Sequence, residues 1–492
     1  MKDVKERAIR GGFAKMGSQA GNFILRLGSL MILGRLLEPR DFGLVGMVMA
    51  MIGVLDLFKD FGLSTAAVQR ADITHEQHST LFWVNILVGT ILASLALGGA
   101  PLVARFYHEP RLVAVTSVLA TAFLFNAAGV QHNAYLERQL RFTTIAGIEA
   151  ISLCAGVTTA IGMALRGYGY WALVAMTVVP PFISMMCLWW KSGWIPGLPR
   201  RGVDLASMLR FGGTVTLNGL VVYLAYNLEK VLLGRFWGAE ALGIYGRGYQ
   251  LVNIPTANLN SAAGGVAFPV LSRVQHDPQR FRNYFLKGYS LVLAITLPIT
   301  IVCAIFANDL ITVVLGPKWN GTADVFRLLV PTILVFAMIN PLAWLLFSLG
   351  LVGRSLKVAL ALAPVVIFGY VIGLSHGPRG VALGYSTMIA LWAVPHIVWC
   401  VHGTVVTLRD ILAVLSRPFV AGLGAAVLPL GFQIFYGHHL TALPRLVIGG
   451  ILFAAVYAAI LLGVMGQKRF YLDLLSSFRQ NSTVREKALA SA

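Results

Sequence analysis

Apolar runs of about twenty residues, parted by short polar breaks, recur along almost the whole chain. A run of that length and composition is what one helix needs to cross a bilayer core. Such runs fall at 12–36, 42–67, 80–104, 112–134, 143–165 and 168–190, and then a polar stretch, KSGWIPGLPRRGVDLASM, occupies 191–208. Further runs lie at 210–236, 241–270, 284–307, 325–350, 355–375 and 380–401, followed by 414–436 and 443–466 and a charged tail. The pattern predicts an all-α integral membrane protein of about 14 transmembrane helices. They group as an N-terminal six-helix lobe (1–190), a cytoplasmic linker (191–209), a C-terminal six-helix lobe (210–401), helices 13 and 14 (402–466) and a cytoplasmic tail (467–492).

The two lobes share a pattern. LGRLLEPRDFGLVG (33–46) is echoed at an offset of 200 residues by LGRFWGAEALGIYG (233–246), with Leu, Gly, Arg and two further Gly at matching positions. GYWAL (169–173) and GVAL (380–383) follow in the same order. Self-similarity of this kind marks a duplicated unit. An even number of spans per copy makes the halves parallel repeats about an axis along the membrane normal, with function expected between them.

Charge orients the chain. Of its 39 Lys and Arg, 24 fall in breaks on the N-terminal side of the membrane, 10 on the opposite side and five within spans. The positive-inside rule places both termini in the cytoplasm. The basic N-terminal segment resembles a secretory leader only in part, because Asn22 and Arg26 interrupt its apolar core, so it is read as the retained first helix.

Composition narrows the class. Hydrophobic residues are 57% and charged residues 12% of the chain, against about 25% charged in a soluble domain, and mean hydropathy is +0.75. The formal charge of +19 is spread over short loops and forms no basic domain, which argues against nucleic acid as partner. Cys154, Cys187, Cys303 and Cys400 lie in apolar runs without metal-like spacing. His75 and His78 in THEQH are read as loop residues, and Trp189, Trp190 and Trp194 as an interfacial belt. No Walker-type glycine loop is present, so no nucleotide hydrolysis is expected, and the Cys and His spacing gives no expectation of a metal or cofactor.

Ionisable groups inside apolar spans carry the candidate chemistry, since such groups normally face a bundle interior or a wet cavity. Lys15, Ser18, Asn22, Arg26 and Ser29 recur at spacings that place them on one face of helix 1. That stripe reads as a water-filled lining, the alternative being Arg26 paired with a carboxylate between helices. Asp56, Lys59 and Asp60 share a face of helix 2, as an ion-pair set or as functional groups. Glu229 and Lys230 in helix 7 are adjacent, so one pairs across helices while the other meets the cavity. Glu149 in helix 5 is a proton or cation site, or the partner of Arg26. Arg247 lies toward the outer end of helix 8, within snorkelling reach of the interface.

Several blocks together resemble one family: GRLLEPRDFGLVGM (34–47), DFGLSTAAVQR (60–70), STLFW (79–83), ARFYHEPRL (104–112), LEKVLLGRFWGAEALGIYGRGYQL (228–251), FPVLSRVQHDPQRF (268–281) and LGPKW (315–319). They are similar to polysaccharide-transporter flippases, the lipopolysaccharide- and colanic-acid-exporter-like branch of the multidrug/oligosaccharidyl-lipid/polysaccharide exporter superfamily. The chain departs from that pattern in helix 7, where Glu229 stands in place of an Asp. The resemblance implies a multi-pass protein of the bacterial inner membrane that moves an undecaprenyl-diphosphate-linked oligosaccharide outward by alternating access. It implies the lipid bilayer as its setting and polysaccharide polymerase machinery as a candidate partner. In that role Arg26, with Lys59, Lys230 and Arg247, would hold the diphosphate, Asn22 and Ser18 would meet the glycan, and Asp56, Glu149 or Glu229 would bind a coupling ion. No bond is made or broken, so no enzyme is expected. A multidrug/cation antiporter shares the architecture, but would be expected to rely on an acidic cavity, whereas the spans hold five Lys or Arg and four acids. A glycan ligase or polymerase would need a sizeable outer loop, and every loop is short.

Overall fold

The computed structural model describes residues 2–59, 74–199, 206–435 and 437–467, with side chains described from residue 17 on except at Ser18, 206–219, Val221, Val222, Ala225 and His438. Among these residues every long element is a helix. They are α1 (Lys2–Leu36), α2 (Pro39–Asp56), α3 (His75–Tyr107), α4 (Leu112–Arg138), α5 (Phe142–Leu165), α6 (Trp171–Ser192), α7 (Ala206–Arg273), α8 (Pro278–Ile305) and α9 (Ala307–Val314). There follow α10 (Asn320–Leu329), α11 (Pro331–Ile339), α12 (Pro341–Ser348), α13 (Val352–Gly373), α14 (Gly377–Val401), α15 (Leu408–Phe435) and α16 (Ala442–Ala459). Nine helical segments among the described residues are long and apolar enough to cross a membrane. The segment Val352–Val401 holds both α13 and α14. α7 runs through two of the expected spans and bends between them at Gly238, whose φ of 80° suits a residue without a Cβ.

The chain forms two compact units. The first comprises Met1–Arg247, Val314–Thr322 and Val366–Gly384; the second comprises Gly248–Val313, Ala323–Val365 and Tyr385–Ala492. In the first unit α3 packs on α4, α5 on α6, α4 on α6 and α1 along α5. Small residues set the spacing: a side chain at Gly89 would strike Ala127, and one at Gly156 would strike Pro180. Close approach through Gly and Ala is the usual way helices associate where lipid removes the hydrophobic drive. In the second unit α8 packs on α11, α15 and α16. Its core centres on Phe281, Phe285, Tyr289 and Leu293, with Phe453 and Tyr457 closing the α16 side. Asp309 and Arg445 form an ion pair of 2.9 Å there, its carboxylate almost wholly buried.

Three local expectations change. Helix 2 ends at Asp56 and not near residue 67, because the chain tightens into a turn, with Phe58 N–H bonding the Leu55 carbonyl at 2.9 Å. His75 and His78 are helical: Thr74 caps α3, its hydroxyl accepting from Gln77 N–H at 3.2 Å while Gln77 Oε1 accepts from Thr74 N–H at 3.1 Å. Trp194 is buried, not interfacial, and packs against His78, Phe82, His132 and Tyr135. Its indole N–H donates to His75 Nδ1 at 3.1 Å. Two further bonds fasten the following residues to α3: Gly197 N–H donates to Ser79 Oγ at 2.9 Å, and Trp83 Nε1 donates to the Gly197 carbonyl at 2.9 Å.

Candidate functional site

All the candidate side chains that are described belong to the first unit. On α1, Asn22 is half-buried and Arg26 is exposed one turn later, while Ser29 turns its hydroxyl back to the Arg26 carbonyl at 2.8 Å. The side chains of Lys15 and Ser18 lie outside the described residues. Among those described, no carboxylate comes within ion-pair distance of the Arg26 guanidinium. Glu149, the partner offered by the sequence, is exposed on α5, the helix that α1 packs along, and closes no pair with it.

A second group gathers around Tyr223 of α7, a residue the sequence reading passed over. Its ring rests on Gly53 of α2, where any side chain would overlap the hydroxyl. The hydroxyl lies 3.3 Å from the Met49 carbonyl and 3.2 Å from that of Ala50, the donation that joins α7 to the last turns of α2. Asp56 and Glu229 are both within electrostatic reach of it. Asp56 holds the Lys59 ammonium at 3.0 Å in the turn beyond α2, with both groups about half exposed. An ion pair that open contributes about 0–1 kcal/mol, so it gives way readily to a competing anion. Asp60 lies outside the described residues.

Glu229 and Lys230 point apart, as adjacent helical residues must. Glu229 is fully buried near the Tyr370 hydroxyl of α13, and neither of its carboxylate oxygens meets a hydrogen-bond partner among the described residues. Lys230 is half-buried and donates to Asn227 Oδ1, one turn back on α7, at 2.6 Å. Asn227 and Tyr370 are further members that the sequence reading missed. The Arg247 guanidinium lies 4.1 Å over the Phe42 ring of α2, which in turn meets Trp319 edge-on at 5.3 Å.

The matching blocks of the two halves meet face to face. A side chain at Gly43 would strike the Ala239 backbone, and one at Gly243 would strike the Pro39 backbone. Around this seam Lys318 pairs with Glu38 at 2.6 Å, Trp319 Nε1 donates to the Gly34 carbonyl at 2.7 Å, and Arg235 bonds His108 at 3.1 Å. Glu109 accepts two bonds from Arg111, at 2.8 and 2.9 Å, and a longer one from Arg40 at 3.4 Å. The Arg111 bonds foremost, then Arg40, hold its carboxyl below the usual carboxylate range.

Nine helical segments of spanning length among the described residues, with buried and half-buried charge on the long helix α7 and duplicated blocks, define a class: an all-helical, multi-pass membrane transporter. The fold is similar to that of the lipid II flippase MurJ in an inward closed conformation, with a TM-score of 0.71 over 95% of this chain and 100% of that one at 14% identity. The chain belongs to the family described as polysaccharide biosynthesis protein, whose sequence profile matches residues 32–324. It is 28% identical over 394 residues, 78% of each chain, to the lipopolysaccharide biosynthesis protein WzxC of Escherichia coli (strain K12). It is 30% identical over 296 residues, 59% of this chain and 61% of the other, to the teichuronic acid biosynthesis protein TuaB of Bacillus subtilis (strain 168).

Proposed function

We propose that the chain is a flippase for a lipid-linked oligosaccharide, an undecaprenyl-diphosphate-bound glycan unit moved from the inner to the outer leaflet of a bacterial inner membrane. The observation that carries this reading is Arg26: a fixed positive charge on α1, read from the sequence as the first span, exposed and with no carboxylate paired to it among the described residues. A guanidinium matches the oxygens of a diphosphate in a bidentate geometry that an ammonium does not. Lys59 and Lys230 stand by as second cations, each held by an exchangeable partner, and Arg247 as a more fixed one. Asn22 is the residue of α1 assigned to the sugars, with Ser18 added from its sequence spacing alone.

Transport proceeds by rocking of the lobes at 1–190 and 210–401, with both termini in the cytoplasm. Asp56, Glu149 and Glu229 are the candidates for binding a coupling ion, and Glu229 is favoured because its carboxyl is fully buried with no hydrogen-bond partner among the described residues. The family of polysaccharide biosynthesis proteins and the flippase fold support the same reading. Deletion of the gene tests it: lipid-linked glycan should accumulate on the cytoplasmic leaflet, as read by a membrane-impermeant lectin before and after opening the cells. Accumulation on the outer leaflet would instead mark a ligase or polymerase, and unchanged glycan with raised drug sensitivity would mark an antiporter.

A further inference from the structure

A different polar feature lies in the second unit, away from every residue assigned above. A cavity of about 10 Å³ is bordered by Thr256 and Asn260 of α7, Thr296 of α8, and Ala337, Asn340 and Pro341 where α11 meets α12. That is room for one water. Thr296 is 1% exposed, and neither its hydroxyl oxygen nor Asn260 Oδ1 meets a hydrogen-bond partner among the described residues. The Thr256 hydroxyl is already committed to the Val252 carbonyl at 3.1 Å.

Pro341 adds a further acceptor. It has no N–H, so the Ala337 carbonyl four residues earlier lacks the donor an unbroken helix supplies. The backbone at Asn340 keeps helical dihedrals (φ −60°, ψ −40°), so the chain does not turn aside to find a substitute. Three acceptors therefore border one small space in an apolar, membrane-embedded bundle, where an unmet polar atom is costly.

The occupant that fits is neutral. Among the described residues no carboxylate borders the cavity, so a cation brought there would lose its hydration against neutral oxygens alone. A water can donate two hydrogen bonds and accept from a threonine hydroxyl or an asparagine amide. We infer that the cavity is a site for a single ordered water that joins Thr296 and Asn260 to the Ala337 carbonyl, so that the proline joint is tied to α7 and α8 through solvent.

The test is a double-mutant cycle on the purified full-length protein in lipid nanodiscs, read by thermal midpoint. Thr296→Val keeps the shape and removes the hydroxyl, and should lower the midpoint by about 2 °C or more; Thr296→Ser should leave it within a degree of wild type. Pro341→Ala restores a donor for Ala337, so the Thr296→Val loss should fall by at least half in that background. Equal losses in both backgrounds, or a Thr296→Ser loss matching that of Thr296→Val, would overturn the inference. A midpoint raised by sodium chloride but not by choline chloride, in wild type and not in Thr296→Val, would mean a cation and also overturn it. Should Pro341→Ala fail to fold, a map of the wild-type protein at solvent-resolving quality decides: a peak within hydrogen-bond distance of Thr296 Oγ1 and Asn260 Oδ1 supports the water, and an empty cavity removes it.

Discussion

Gly43 and Gly243, 200 residues apart, each press against the backbone that opens the other's helical segment: Gly43 against Ala239, and Gly243 against Pro39. The same offset relates Pro39 to Ala239, so the two contacts are one contact made twice. Reciprocity of this form is what a two-fold relation between copies requires. A second exchanged pair agrees with it, since Gly34 faces Leu315 of the second copy while Gly234 faces Tyr107 of the first.

Gly43→Ala and Gly243→Ala should therefore each destabilise, by about 1–3 kcal/mol, because a methyl group has no space against a backbone carbonyl. Thermal melts of the two variants should agree closely. A fall confined to one of them would contradict the reciprocal contact.

Arg26→Ala should abolish appearance of the lipid-linked glycan on the outer leaflet without lowering the amount of folded protein. Arg26→Lys should recover part of the activity, because the charge returns without the bidentate fork. Unimpaired export by Arg26→Ala would remove the proposed phosphate site.

Glu109 gives a pH signature. Its folded carboxyl lies below the ordinary range, chiefly through the Arg111 bonds. Its stabilisation is thus fully present above the unfolded carboxylate value and is lost as pH falls through the folded one. Melting points recorded downward from pH 7 should show an acid-limb drop that Glu109→Gln flattens. The effect is small, because the partner arginines Arg40 and Arg111 are open to solvent.

Trp194→Ala should cost about 3–5 kcal/mol, the usual loss for emptying a buried aromatic site. Trp194→Phe keeps most of the packing and forfeits the bond to His75, worth about 1 kcal/mol. Chemical denaturation of the two variants separates packing from hydrogen bonding.

The helical, membrane-spanning class was legible because apolar runs of spanning length admit little else, and the duplicated glycine block was legible because its spacing survived intact. The end of α2 was not: DLFKDFGLS stays apolar enough to continue a helix, and what stops it is a tightened turn. THEQH reads as polar punctuation until Thr74 and Gln77 are recognised as a capping pair at a helix start. Tyr223 and Tyr370 carried no signal, since an aromatic residue in a span is packing by default and only tertiary placement sets it beside Glu229. The direction of Glu229 and Lys230 was open for the same reason: adjacency says they diverge, and only the neighbouring helix says which one it meets.

Fastening Trp194 and Gly197 to α3 shortens the leash between the chain's halves. The next described helix begins at Ala206, so nine backbone steps remain. At about 3.3–3.6 Å each, those steps reach roughly 30 Å whatever path they follow. Any excursion of the start of α7 from the first turns of α3 is capped at that distance, and lengthening or trimming residues 198–205 should reset the limit without touching a single side chain assigned to transport.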